Sequence, residues 1–99
     1  MPLLFGTAGV PLSTKGGSTE AGVRRVRELA LDAMEVEFVQ GVRMGEEKAG
    51  KIAKIAQEVN VALSCHGPYW INFNSQDPEK VVASRERLLH SARIGQILG

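Results

Sequence analysis

The chain has 99 residues, enough for one small domain with a modest core. Hydrophobic residues make up 43% and charged residues 23%, and twelve basic against eleven acidic residues leave a formal net charge of +1. That balance is typical of a soluble globular protein and excludes a generally basic coat, so any nucleic-acid surface must be a local patch.

Leu3 to Phe5 is a short apolar run ending in Gly6 and is read as a first strand. A loop rich in Gly, Pro and Ser follows, from Thr7 to Gly17. Ser18 can cap a helix, and Glu20 in its first turn suits the positive helix end. Val23, Val26, Leu29 and Ala30 then recur at helical spacing. Met34 to Val39 alternates, with Met34, Val36 and Phe38 on one face and Glu35 and Glu37 on the other. A loop from Gln40 to Gly45 leads into a second helix whose stripe is Ala49, Ile52, Ile55, Ala56 and Val59, with Asn60 as its end. Val61 to Cys65 is a third strand: Val61, Leu63 and Cys65 share one face, and Ala62, Ser64 and His66 the other. After the loop Gly67 to Gln76, Asp77-Pro78 places a cap before a proline at the first helical position. Val81, Arg85, Leu88 and Ala92 are expected to carry the third helix, with Gly95 and Gly99 as stop signals.

Strand centres spaced by roughly 30 residues are the mark of repeated βαβ units, which give a parallel sheet with right-handed crossovers. Parallel strands covered on both faces read as continuous apolar runs. Here the second and third strands each keep one apolar and one polar or small face. A barrel explains this, because the apolar face packs under helices and the other faces the interior. The expected fold class is therefore α/β, a partial (β/α)8 TIM barrel made of its first three βα units with parallel strands. Closing such a barrel takes eight strands and about 250 residues. Residues 1–99 are accordingly expected to be the N-terminal portion of a single TIM-barrel domain, truncated before strand four.

Glu37 and His66 would end neighbouring strands and point inward, where barrel enzymes place their catalytic groups. His66 reads either as a metal ligand or as a histidine hydrogen-bonded to backbone; one histidine is short of the three protein ligands that zinc takes. His90, away from the third helix's stripe, reads as exposed. Glu35 and Glu37 could bind a metal or act as acid and base, or could form salt bridges across the interior. Tyr69, Trp70, Ile71 and Phe73 lie on the loop after the third strand, suited either to stacking in a nucleic-acid groove or to covering the rim. Ile71 and Phe73 read as the lid, and Tyr69 and Trp70 as nearer a ligand. Arg43, on the second loop, is a natural phosphate or minor-groove contact, or simply a solvated charge. Ser13-Thr14-Lys15-Gly16-Gly17-Ser18 does not match a P-loop. Arg24, Arg25 and Arg27 read as a solvated helix face, and Cys65 as core.

The run Cys65-His66-Gly67-Pro68-Tyr69-Trp70-Ile71-Asn72-Phe73, followed by Asp77-Pro78-Glu79-Lys80 and later Leu98-Gly99, resembles the third βα unit of the endonuclease IV family. Gly6, Ser13 and Gly16-Gly17 match the first unit loosely. The resemblance implies a zinc-dependent phosphodiester hydrolase that cuts 5′ of abasic sites in DNA repair, using three zinc ions. By the same resemblance His66 matches a zinc ligand. Tyr69, Trp70 and Arg43 match residues that enter the DNA minor groove at the lesion. The other ligands of the cluster belong to strands four to eight, so no catalytic residue is assigned within these 99 residues, and the piece alone is expected to be inactive. Glu37 is held as a possible metal or polar site.

No histidine follows the first strand, and Gly67 stands where the family has an acidic residue. These departures, with Glu37, support an alternative: a metal-dependent sugar isomerase or epimerase of the wider xylose-isomerase-like barrel superfamily. The single cysteine excludes an internal disulfide and a CxxC zinc pattern. No run approaches the roughly 20 apolar residues of a membrane span, and the N-terminus lacks a signal-peptide pattern. The expected setting is cytoplasmic, with DNA containing abasic sites as partner and no membrane. Open sheet edges are expected to drive the 99-residue piece to self-associate.

Overall fold

The computed structural model describes residues 2–38 and 41–99. The element order is β1 (Gly6–Ala8), α1 (Thr19–Glu28), β2 (Ala33–Glu37), α2 (Glu46–Val59), β3 (Ala62–His66) and α3 (Pro78–Leu98). Among the described residues the strands form one parallel sheet in the order β1-β2-β3. Val39 and Gln40, expected at the end of the second strand and the start of its loop, lie outside the described residues.

The register sorts the sheet into two faces. On one face Thr7, Met34 and Leu63 form a row, with Val36 beside Cys65 in the next. Met34 and Val36 are buried there with Val23 and Val26 of α1, Ala49, Ile52 and Ala56 of α2, and Ile94 and Leu98 of α3. All three helices thus close over the same face. Each fully buried aliphatic side chain in this layer contributes about 1.5–3 kcal/mol. On the opposite face Gly6, Ala33 and Ala62 form the first row, Ala8, Glu35 and Ser64 the second, and Glu37 and His66 the last. Polarity therefore rises toward the C-terminal ends of the strands.

Two helices end by the same device. Ser18 starts α1, its hydroxyl accepting from the Ala21 N–H at 3.1 Å. The helix then stops at Ala30, φ 62°, with the Leu31 N–H donating back to the Val26 carbonyl at 3.0 Å. In α2 the same six-residue closure uses Asn60, φ 57°, and the Val61 N–H on the Ala56 carbonyl at 2.9 Å. Asn tolerates the left-handed region, whereas Ala holds it under strain.

Four expectations need correction. The first strand begins at Gly6, not Leu3: Leu3 and Phe5 are 77% and 63% exposed, and ladder pairing with β2 starts only where Phe5's carbonyl accepts from Ala33. Gly6 is required by that closeness, since a Cβ there would fall on the Ala33 carbonyl. The buried face of α3 is Ser84, Ser91, Ile94 and Leu98, while Arg85, Leu88 and Ala92 are exposed. Small serines let the helix approach closely, and their hydroxyls are satisfied by the Asn72 backbone and the Arg87 carbonyl. Gly95 lies within α3 rather than stopping it, leaving room for the Cys65 sulfur; Gly99, φ 92°, is the cap. Arg27 is not a merely solvated charge: its guanidinium donates to the Val59 carbonyl at 2.9 Å and the Asn60 carbonyl at 2.7 Å, and pairs with Asp32 at 3.3 Å. It ties the C-terminal end of α1 to that of α2.

Candidate functional site at the C-terminal ends of the strands

Glu37 and His66 occupy one rung of the β2–β3 ladder, on the face without helices, and both are exposed. The Phe38 N–H donates to the His66 carbonyl at 2.9 Å, extending the pairing past the rung. His66 Nδ1 lies 2.7 Å from the Gly67 carbonyl. A carbonyl can only accept, so Nδ1 carries the proton, and in the neutral ring the lone pair is left on Nε2. The Tyr69 ring meets the imidazole edge-on, with centroids 5.7 Å apart and planes at 75°.

One turn of pleat below, Glu35 shares the Glu37 face. A hydrogen bond between the two carboxyl groups raises the Glu37 pKa above its ordinary value of 4.5; desolvation and the Glu35 charge push the same way, and His66 opposes them. The salt bridge to a basic residue expected for Glu35 is not found among the described residues. Its neighbour two residues along the same strand face is the Glu37 carboxyl. Cys65 lies on the opposite, half-buried face, where burial raises its thiol pKa, as expected of a core residue.

The aromatic loop is fixed from beneath. The Asn72 N–H donates to Ser84 Oγ at 2.8 Å, and Ser84 Oγ returns a bond to the Asn72 carbonyl. Arg87 donates to the Trp70 carbonyl at 2.7 Å. Tyr69 and Trp70 remain 71% and 58% exposed on this support. Phe73 is also exposed, so it does not form the lid expected of it; Ile71 is half-buried and lies near Gly67. His90 is exposed on α3, as expected.

On the other side of Glu37 a cleft of about 380 Å³ opens between the β1 and β2 loops and the first turn of α2. Gly9, Thr19, Glu35, Glu37, Arg43 and Lys48 are among its lining residues. Gly9, φ 89°, backs directly onto the Glu37 side chain. Arg43 is exposed, and Lys48 stands 3.8 Å from Glu20. The structure thus brings Glu37, His66 and Tyr69 together and sets Arg43 in a cleft shared with Glu37. Trp70 follows on the loop, placed through its backbone. Lys48 is absent from the sequence expectation. Its position in the first turn of α2, three residues after the rim loop, is the signal that marks it.

Zinc takes nitrogen and oxygen donors of the kind His66 and Glu37 offer. A histidine that donates its second ring N–H to a backbone carbonyl is oriented as metal-bound histidines are. The two residues fit a metal in kind, but among the described residues no group of three His, Cys, Asp or Glu side chains could hold one.

No family model matches the chain. Over 92 residues, 93% of its length, it is 40% identical to an uncharacterized protein of Methanocaldococcus jannaschii. The match covers 32% of that protein, so the chain spans about a third of the length of this curated relative. No helix among the described residues is long and apolar enough to cross a membrane.

Proposed function

We propose that the chain forms the first three βα units of a (β/α)8 barrel whose whole is a zinc-dependent endonuclease acting at abasic sites in DNA. Helices on only one face of the sheet support the barrel, because the bare face is the one a closing barrel turns inward. The archaeal relative, about three times as long as the matched segment, has the length of a complete barrel of about 250 residues.

The observation that carries the reading is His66 at the end of β3, with Tyr69 against the imidazole and Arg43 on the same rim. In this reading His66 and Glu37 supply part of the metal's ligand set, completed by residues of further strands. Zinc, when bound, supplies Lewis acidity for hydrolysis of the phosphodiester. The Gly67 carbonyl holds the His66 proton on Nδ1 and keeps the ring fixed. Tyr69 and Trp70, exposed above the rim, present aromatic faces to an opened base step, and Arg43 presents a guanidinium to phosphate.

A second reading is favoured by one observation, the Glu35–Glu37 carboxyl pair. Two carboxyl groups side by side on one strand face suit acid–base chemistry on a sugar, as in a metal-dependent isomerase or epimerase. The test between them is incision of a duplex carrying one abasic analogue by the full-length protein, before and after metal is stripped. Metal-dependent incision 5′ of the lesion is expected. A folded, zinc-loaded protein that leaves the duplex whole rejects the endonuclease.

A further inference from the structure

We infer that copies of this chain join head to tail: the open edge of β3 in one copy takes β1 of the next as a parallel strand, beneath the exposed flank of α3. The inference rests on the sheet and its helices, not on the chemistry proposed for the rim. It gives the edge association expected from the sequence a partner surface, a polarity and a stoichiometry.

The ladder fixes which backbone groups are free. In a parallel ladder alternate residues turn both their N–H and their C=O to the same neighbour. The Ala62 N–H donates to the Asp32 carbonyl at 2.9 Å, and the His66 carbonyl accepts from the Phe38 N–H at 2.9 Å, so Ala62, Ser64 and His66 face β2. Leu63 and Cys65 therefore turn their backbone groups to the open side. At the other edge the Phe5 carbonyl accepts from Ala33 and the Gly9 N–H donates to the Glu35 carbonyl, so Gly6 and Ala8 turn theirs outward. Thr7 of an incoming copy then stands beside Leu63 and continues the row Thr7, Met34, Leu63. A parallel addition also repeats the sense of both pairs already in the sheet, so the strand twist carries on. Neither Gly6–Ala8 nor Ala62–His66 contains the lysine or proline that blunts an isolated edge.

The side chains are complementary. A groove of about 330 Å³ lies between β3 and α3, lined among others by Leu63, Cys65, Leu88, Ala92 and Gly95. Leu88 is 46% exposed and Ala92 is exposed, although with Val81 they have the spacing of a buried stripe. They form a helix flank with no strand residues beneath it. The β1 edge has the reverse. Phe5, two residues before Thr7 and so on the same helix-covered side, is 63% exposed, a strand residue with no helix above it. Each surface lacks what the other supplies.

The area agrees. A monomer of 10.7 kDa is expected to expose about 5,500 Å². This chain exposes 6727 Å², an excess of about 1,200 Å² over that expectation. One standard interface removes about 800 Å² from each partner, so the excess is of the size that a copy joined at its edges would hide. Each copy carries one edge of each kind. Association therefore does not stop at a dimer but goes on to a ring or an open chain.

The test is light scattering after size-exclusion chromatography of the 99-residue chain and two exposed-site variants. Leu88→Glu puts a charge on the α3 flank, and Phe5→Glu puts one on the β1 side; circular dichroism checks that both keep the fold. The parent should grow past a dimer as concentration rises. Each variant alone should associate at least about tenfold more weakly than the parent, because every joint needs both surfaces intact. Mixed one to one, the variants should form a dimer and stop there, since Leu88→Glu keeps a sound β1 and Phe5→Glu a sound α3 flank. Cys65→Pro, which removes an outward N–H without taking one from β2, should behave as Leu88→Glu does. A Phe5→Glu chain that still dimerises alone marks a symmetric β3–β3 pairing and overturns the inference. So does a mixture no larger than its parts. A parent that stays monomeric up to millimolar concentration also overturns it, and leaves both edges to further strands of a longer chain. Incision by the full-length protein is read separately and bears only on the endonuclease.

Discussion

Replacing Arg27 by Met should cost the fold about 2 kcal/mol. The guanidinium donates to two carbonyls at the end of α2, those of Val59 and Asn60. These belong to the last turn, where helix carbonyls lack partners and carry the negative end of the helix dipole. A hydrogen bond from a charged group is worth about 1.5–3 kcal/mol when enclosed. The Arg27 side chain is 35% exposed, so about 1 kcal/mol per bond is the fitting figure. The Asp32 pair, exposed by 40% on its acidic side, adds at most about 0.5 kcal/mol. Met keeps the aliphatic stem and its packing, so the loss isolates the donors. For a domain this size a 2 kcal/mol loss lowers Tm by about 8–16 °C and the urea midpoint by about 1 M. Urea unfolding followed by circular dichroism measures it. Lys at the same position reaches one carbonyl at a time and should recover no more than half. A Met variant within about 0.5 kcal/mol of the parent, at unchanged slope, would refute the reasoning and return Arg27 to the solvated face.

Ala30→Gly should stabilise the chain by about 1 kcal/mol, a Tm gain of several degrees, because φ 62° strains Ala and not Gly. Gly6→Ala should push β1 off β2, since its Cβ has no space beside Ala33; loss of cooperative unfolding in calorimetry is the expected result. The Glu37 pKa is raised in the fold, so its protonation stabilises the protein fully below the ordinary value of 4.5, and that contribution is lost as pH rises through the raised value. Glu37→Gln should therefore have a higher Tm than the parent at pH 7 and no advantage below about pH 4, which a pH series of melts would reveal. Finally, the chain should self-associate with rising concentration, through the outer edges of β1 and β3 that have no partner among the described residues. Light scattering that reports a monomer at millimolar concentration would count against it.

The α/β repeat was legible because alternation and helical stripes are local patterns. Met34 to Glu37 and Leu63 to His66 alternate cleanly, and the structure keeps those faces. Ser18, Asn60 and Asp77-Pro78 marked helix ends because capping chemistry is carried by single residues. The first strand was misplaced because Leu3 to Phe5 look apolar, yet hydrogen bonding to β2, which no local pattern contains, decides where a strand begins. The α3 face was misread for a related reason. Apolar spacing picks Leu88, but close helix approach favours the small Ser84 and Ser91, whose partners arise only in the fold. The Arg27 clamp spans more than thirty residues of sequence and leaves no trace in its neighbours. At the rim, Glu37 and His66 were legible from strand parity, whereas the cleft that adds Lys48 depends on how the loops fold over.

The parity of β2 has a further consequence. Its odd positions build the polar rim and its even positions build the core, so one reading frame encodes both. A single inserted or deleted residue within Ala33–Glu37 would turn Met34 and Val36 outward and carry carboxylates into the apolar layer. Such a lesion could not spare the fold while silencing the site. Length changes are thus purged here by stability alone, and the spacing that aligns Glu37 with His66 is protected without any selection on chemistry.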